Sequence, residues 1–100
     1  MVVNFTLKAL ADIDNIGEYH GKYSKNQTKK LIQGFFDSAQ LLEKFPFMGR
    51  ILDEIGEIEV RELIYQNYRV VYHVFDDDNI DIITIQHTLR DLRRHLPNFN

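Results

Sequence analysis

The chain reads as a single α+β domain over residues 1–100: a helical hairpin packed on one side of a mainly antiparallel sheet, with a short C-terminal helix. Three observations predict this. Apolar side chains recur at steps of three and four between Ala9 and Leu42, the period of helices with one buried face. Further on, between Tyr68 and Gln86, the pattern changes to the twofold alternation of strands. Finally, 100 residues of which 44% are apolar suffice for one core and leave a second domain unsupported.

Residues 1–6 suit a first strand, because Val2, Val3, Phe5 and Thr6 are β-branched or aromatic. From Leu7 onward Ala9, Ile13, Ile16 and then Tyr19 or His20 take up helical spacing. Thr6 can cap this helix, and Asp12 and Asp14 fall near its positive end. Gly17 and Gly21 weaken it, which places its end between Gly21 and Ser24. Ser24 is the expected cap of a second helix, with Gln27 completing the weaker form of a capping box. Thr28, Ile32, Phe35, Ala39 and Leu42 form its stripe, Leu31, Phe36, Leu41 and Phe45 widen it, and Pro46 stops it. Two helices joined by a few residues make an antiparallel hairpin that needs a flat surface to cover.

Phe47 to Arg50 is a turn, and the acidic stretch 51–59, broken by Gly56, reads as a loop. Residues 60–65 alternate as a strand with apolar side chains on both faces. Gln66-Asn67 is the expected tight turn, with Asn67 as the residue that tolerates positive φ. Residues 68–75 and 80–86 are the two strongest strands, linked by Asp76-Asp77-Asp78-Asn79. Three adjacent carboxylates there read as a solvated hairpin turn, since a hard-cation site needs ligands converging from more than one segment. Leu89, Leu92 and Leu96 share one side of a final helix that Pro97 ends.

Period two divides residues 68–75 into Tyr68, Val70, Tyr72 and Val74 on one face and Arg69, Val71, His73 and Phe75 on the other. The tyrosine-valine face is expected under the helices, and the face with Arg69 and His73 is expected to be left open or partly open. Whether Arg69 shares its face with Gln86 or with His87 depends on the turn length, because a slip of one residue flips every side chain. An arginine in such a strand needs a carboxylate, a carbonyl or a ligand anion. His73 and His87 can act as acid-base groups near neutrality or sit as hydrogen-bonded strand residues, while His20 and His95 are expected at the surface. Glu59 and Glu62, beside a turn, are expected to face solvent.

The composition excludes several classes. Twelve Lys+Arg against fifteen Asp+Glu give a net charge of −3, so phosphate-backbone binding by the whole surface is not expected. The absence of cysteine excludes disulfides and thiolate chemistry. No H-x-x-x-H or H-x-x-E spacing occurs, so neither a metal nor another cofactor is expected. Short, charge-broken apolar runs predict a soluble cytoplasmic protein with no membrane segment. Arg90, Arg93 and Arg94, against one Asp91, form the densest positive cluster.

Several stretches, in order, resemble the RelE/ParE superfamily of type II toxin-antitoxin toxins. They are Ala9-x-x-Asp12-Ile13-x-x-Ile16-x-x-Tyr19, Leu42-x-x-Phe45-Pro46-x-x-Gly49-Arg50, Arg61, Tyr68-Arg69-Val70-Val71-Tyr72, Ile80-x-Ile82-x-x-Ile85-x-His87 and Arg90-Asp91-Leu92. The resemblance covers almost the whole chain and implies a β-α-α-β-β-β fold. It also implies a cognate antitoxin whose C-terminal segment folds over the toxin in a hetero-oligomer, a module associated with plasmid stabilization. Leu31, Phe36, Leu41 and Phe47 are the candidate antitoxin contacts, with ordinary core packing as the plain alternative.

Within this superfamily, RelE- and YoeB-like members cut mRNA on the ribosome, whereas ParE-like members inhibit DNA gyrase. Arg69 matches the arginine of the nucleases, and His87, eighteen residues on, matches the candidate acid, so these two are the catalytic pair if the chain is a ribonuclease. The paired lysines expected near Val60 and Glu62 are absent, and Thr88 replaces the aromatic residue that follows the histidine in the nucleases. The Phe45-Pro46-x-x-Gly49-Arg50 turn and the His87-x-x-Arg90-Asp91-Leu92 ending resemble ParE more closely. The reading is therefore a ParE-like gyrase inhibitor that meets its target through Arg61, Arg69, Arg90, Arg93 and Arg94. The alternatives are the mRNA endoribonuclease and a homologue that binds antitoxin without toxicity.

Overall fold

The computed structural model describes residues 1–52, 59–76 and 78–90. The expectations for Asp77, for Arg93 and Arg94, and for the C-terminal helix lie outside them. In chain order the elements are β1 (Val2–Phe5), α1 (Leu7–Gly21), α2 (Lys25–Lys44), β2 (Arg50–Ile51), β3 (Val60–Tyr65), β4 (Tyr68–Val74) and β5 (Asn79–His87). The sheet order is β1-β5-β4-β3-β2; β1 runs parallel to β5 and the other neighbours are antiparallel. A parallel pair needs a crossover, and the helical hairpin lies in the connection that leads from β1 to the later strands. The two-residue β2 is an edge strand that the sequence pattern does not reveal.

Thr6 marks the change from strand to helix. Its Oγ1 accepts from the Ala9 amide at 3.1 Å, and its own proton faces the carbonyls of Ile82 and Ile83 at 2.9 and 3.0 Å. The cap of α1 therefore also ties it to β5. Ser24 caps α2 through the Gln27 amide at 3.2 Å, and α2 ends at Lys44, two residues before Pro46. The core joins Ala9 and Ile13 of α1 and Phe35, Ala39 and Leu42 of α2 to Val70, Tyr72, Ile80, Ile82 and Ile85. Full burial of a side chain the size of Phe35 or Leu42 stabilises by about 1.5–3 kcal/mol. The tyrosine-valine face of β4 is thus the covered one.

The other face carries more apolar burial than its polar residues suggest. Val71 and Val60 are fully buried there, and Leu52 and Ile83 are buried outside the main cluster. Glu62, Thr84 and Gln86 are also buried, while Arg69 and His73 are half-buried and Ile64 is exposed, so the face is partly open and not a wholly polar surface. The apolar share of β3, on both of its faces, was the sign of that.

Two local details depart from the sequence reading. The positive φ in the β3–β4 turn falls on Gln66, at 55°, and not on Asn67. Asp12 lies beyond the first turn of α1 and does not serve the helix dipole. Its Oδ2 accepts from the Ile85 amide at 3.0 Å and from the Thr84 hydroxyl. β1 pairs with β5 only as far as Ile82, so α1 supplies the acceptor that the strand edge lacks after that point.

Candidate functional site

Arg69 finds the partners its position demands. β4 and β5 pair Tyr68 with His87 and Arg69 with Gln86, with a bulge between Val71 and Tyr72, so Arg69 and His87 lie on opposite faces of the sheet. The Arg69 Nη1 is 3.3 Å from Glu62 Oε2, and Nη2 donates to the Thr88 carbonyl at 2.9 Å. Arg50 Nε donates to Glu62 Oε1 at 2.6 Å. The Glu62 side chain has no solvent exposure, contrary to its expected place in solvent. A buried carboxylate held between two guanidiniums is compensated, and losing either leaves it expensive. Among the described residues, Arg69 Nε and Glu62 Oε2 have no hydrogen-bond partner, although Oε2 keeps its ionic contact with Arg69.

Arg61 stands on the helix-covered face opposite Tyr72, so it does not share a surface with Arg69. Its Nε contacts Glu59 at 2.6 Å, its Nη1 donates to the carbonyls of Phe47 and Gly49 at 3.0 and 2.7 Å, and its guanidinium lies 5.1 Å from the Phe47 ring centre. Arg61 therefore braces the turn after α2. Beside it, Tyr72 accepts from the Gly49 amide at 2.9 Å, and burial pushes its phenol pKa above the ordinary value against that hydrogen bond. Arg90, by contrast, is exposed.

A second group of polar residues surrounds Tyr68. Its hydroxyl is 2.7 Å from His20 Nε2, and the His87 ring meets it edge to face at 5.5 Å. His20 is half-buried and engaged, not a plain surface residue; its place on the apolar stripe of α1 was the signal. Burial raises the Tyr68 pKa, the neighbouring Tyr19 adds to the rise and the Arg90 charge opposes it. The Leu89 amide donates to His87 Nδ1 at 3.2 Å, which leaves the proton of a neutral ring on Nε2. Between α1 and the end of the β4–β5 hairpin runs a groove of about 600 Å³, bordered by Tyr19, His20, Tyr68, His87 and Arg90.

The candidate antitoxin residues separate by exposure. Leu31 is half-buried and packs on the core, whereas Phe36, Leu41 and Phe47 are exposed, together with Phe45 and Met48 nearby in sequence. Phe36 rests against Phe5 with ring centres 5.0 Å apart. His73 is half-buried on β4 opposite Val60 and Asp81. Among the described residues no three His, Asp or Glu side chains group to hold a metal, and no helix is long and apolar enough to cross a membrane.

Two helices on one side of a five-stranded mixed sheet, in this strand order, define a small α+β domain. Residues 3–92 match the family described as ParE toxin of type II toxin-antitoxin system, parDE, and the chain belongs to that family. Among solved structures it is similar to a chain of the chromosomal ParDE toxin-antitoxin system from P. aeruginosa. The identity is 20% and the TM-score 0.70, over 87% of this chain and 95% of that one. No curated protein matches it.

Proposed function

We propose that this ParE-family toxin inhibits DNA gyrase and is neutralised in the cytoplasm by a cognate antitoxin, with which it forms a hetero-oligomer. The observation that carries this reading over mRNA cleavage is the placement of Arg69 and His87 on opposite faces of the sheet. Cleavage by attack of a 2′-hydroxyl needs a base, a cation and an acid around one phosphate. Here the guanidinium is engaged by Glu62 and Thr88 on one side, while the imidazole faces Tyr68 on the other.

The target is met through Arg90 together with Arg93 and Arg94, while Arg61 and Arg69 act from within by holding the turn after α2 and the Glu62 carboxylate. The antitoxin contacts the exposed apolar side chains of Phe36, Leu41 and Phe47 and the half-buried Leu31. That the similar P. aeruginosa chain comes from a toxin-antitoxin system supports such a partner.

The test pairs two assays on the purified chain: supercoiling by gyrase, and transcript integrity in a translating extract. The expected result is blocked supercoiling with intact message. Cut transcripts with normal supercoiling would establish the ribonuclease instead. Neither effect, with antitoxin still bound, would identify a non-toxic homologue and overturn the proposal equally.

A further inference from the structure

The groove beside Tyr68 brings Arg90, which the proposed toxin action also uses, together with side chains that neither that action nor the fold uses. Tyr19 of α1 and Tyr23 in the turn that follows it are 58% and 76% exposed, with ring centres 5.7 Å apart and planes inclined at 59°. Rings so exposed contribute little to the core, yet they present flat apolar faces at the groove. Tyr19 borders the 600 Å³ groove, and Tyr23 borders an adjoining one of about 370 Å³ that shares His20, Asn67 and Tyr68 with it. Facing them is a set of donors. His87 has its Nδ1 occupied by the Leu89 amide and so offers Nε2–H, and Arg90 makes no ion pair among the described residues.

Two acceptors on the same wall are already engaged. The Asp12 carboxylate takes the Ile85 amide, the Thr84 hydroxyl and the Lys8 ammonium, and the Tyr68 hydroxyl is paired with His20. A guanidinium with no ion pair among the described residues and an imidazole N–H, beside two exposed phenol rings inclined at 59° to one another, match a ligand with an anionic end and a planar aromatic end. A bare anion would leave the rings unused, and an acidic peptide would leave them unstacked. The larger groove has the volume of a site for a small organic ligand.

We infer that this groove binds a nucleotide, its base stacked on the Tyr19 ring with the tilted Tyr23 ring at its edge, and its phosphate held by Arg90 and the Nε2–H of His87. The nucleotide is either free or the 5′-phosphorylated end of a single strand, since both present the same chemistry.

Calorimetric titration of the full chain with ADP tests this, with inorganic phosphate, adenosine and a 5′-phosphorylated single-stranded tetranucleotide as further probes. Saturable ADP binding is expected below about 1 mM, with phosphate and adenosine each at least about tenfold weaker. Arg90→Ala, and separately Tyr19→Ala with Tyr23→Ala, should each weaken ADP about tenfold. These side chains are exposed, and circular dichroism checks that the variants stay folded. A tetranucleotide that displaces ADP at equal or lower concentration makes the strand end the ligand; a much weaker one makes it the free nucleotide. No saturable binding, phosphate binding as tightly as ADP, or an Arg90→Ala chain unchanged in affinity would each overturn the inference. Because the readout is direct binding, it fails or succeeds independently of the supercoiling and transcript assays.

Discussion

Arg69 on β4 reaches to the neighbouring β3 and places its guanidinium 3.3 Å from the Glu62 carboxylate, which has no solvent exposure. Arg69→Ala removes one of the two cations facing that buried charge. Loss of a partner from a buried ion pair costs about 3–5 kcal/mol, and the retained Arg50 contact puts this case near the low end, about 3 kcal/mol. Urea denaturation of Arg69→Ala, Arg50→Ala and Glu62→Gln should rank Arg69→Ala as the most damaging. If Arg69→Ala is as stable as the parent, the strut role is wrong and a ligand role for Arg69 regains ground.

Gly49 is needed for space. A β-carbon there would come within 2.6 Å of both the Glu62 carbonyl and the Tyr72 hydroxyl, and the first of these is backbone that cannot swing away. Gly49→Ala should therefore destabilise by about 1–3 kcal/mol, as overpacking does elsewhere. Thermal unfolding compared with Gly21→Ala, where an added β-carbon meets nothing within 4 Å, provides the internal control.

Gln66 occupies the left-handed region at φ 55°, where a side chain is disfavoured and glycine is not. Gln66→Gly should raise stability by about 0.5–1 kcal/mol after glycine's own entropy cost. A drop in the denaturation midpoint would mean that the turn relaxes in solution.

Tyr68 and Tyr72 both have phenol pKa values raised by burial. A raised folded-state pKa means that the neutral form is preferred in the native protein. That stability is present in full below the unfolded value of about 10 and declines as pH rises from there through the folded values. Ultraviolet absorbance titration should show two of the five tyrosines ionising later than the rest, with unfolding becoming easier in the same alkaline range. Tyr72→Phe should remove the later-ionising group that contacts Gly49.

Leu41 and Phe47 are exposed apolar side chains assigned to the antitoxin surface. Leu41→Asp combined with Phe47→Asp should release the antitoxin in co-purification while leaving the melting temperature of the toxin nearly unchanged. Retained antitoxin with both changes in place would send the interface elsewhere on the molecule.

The helices, their caps and their inner faces were legible in the sequence because those features are local: Thr6 and Ser24 act within three residues, and the spacing of Ala9, Ile13, Phe35 and Ala39 states which side is buried. The need of Arg69 for a partner was equally local, since a charge among β-branched residues must be compensated. Its partner was not local. Glu62 meets Arg69 only through the pairing of β3 with β4, and Arg50 joins them through a two-residue strand with no periodicity of its own. The bulge between Val71 and Tyr72 decided that Arg69 shares a face with Gln86 and that His87 turns to Tyr68 and the α1 groove. Alternation along one strand determines which side chains travel together. Only hydrogen-bond register between strands, where one extra residue reverses every later side chain, decides what they meet.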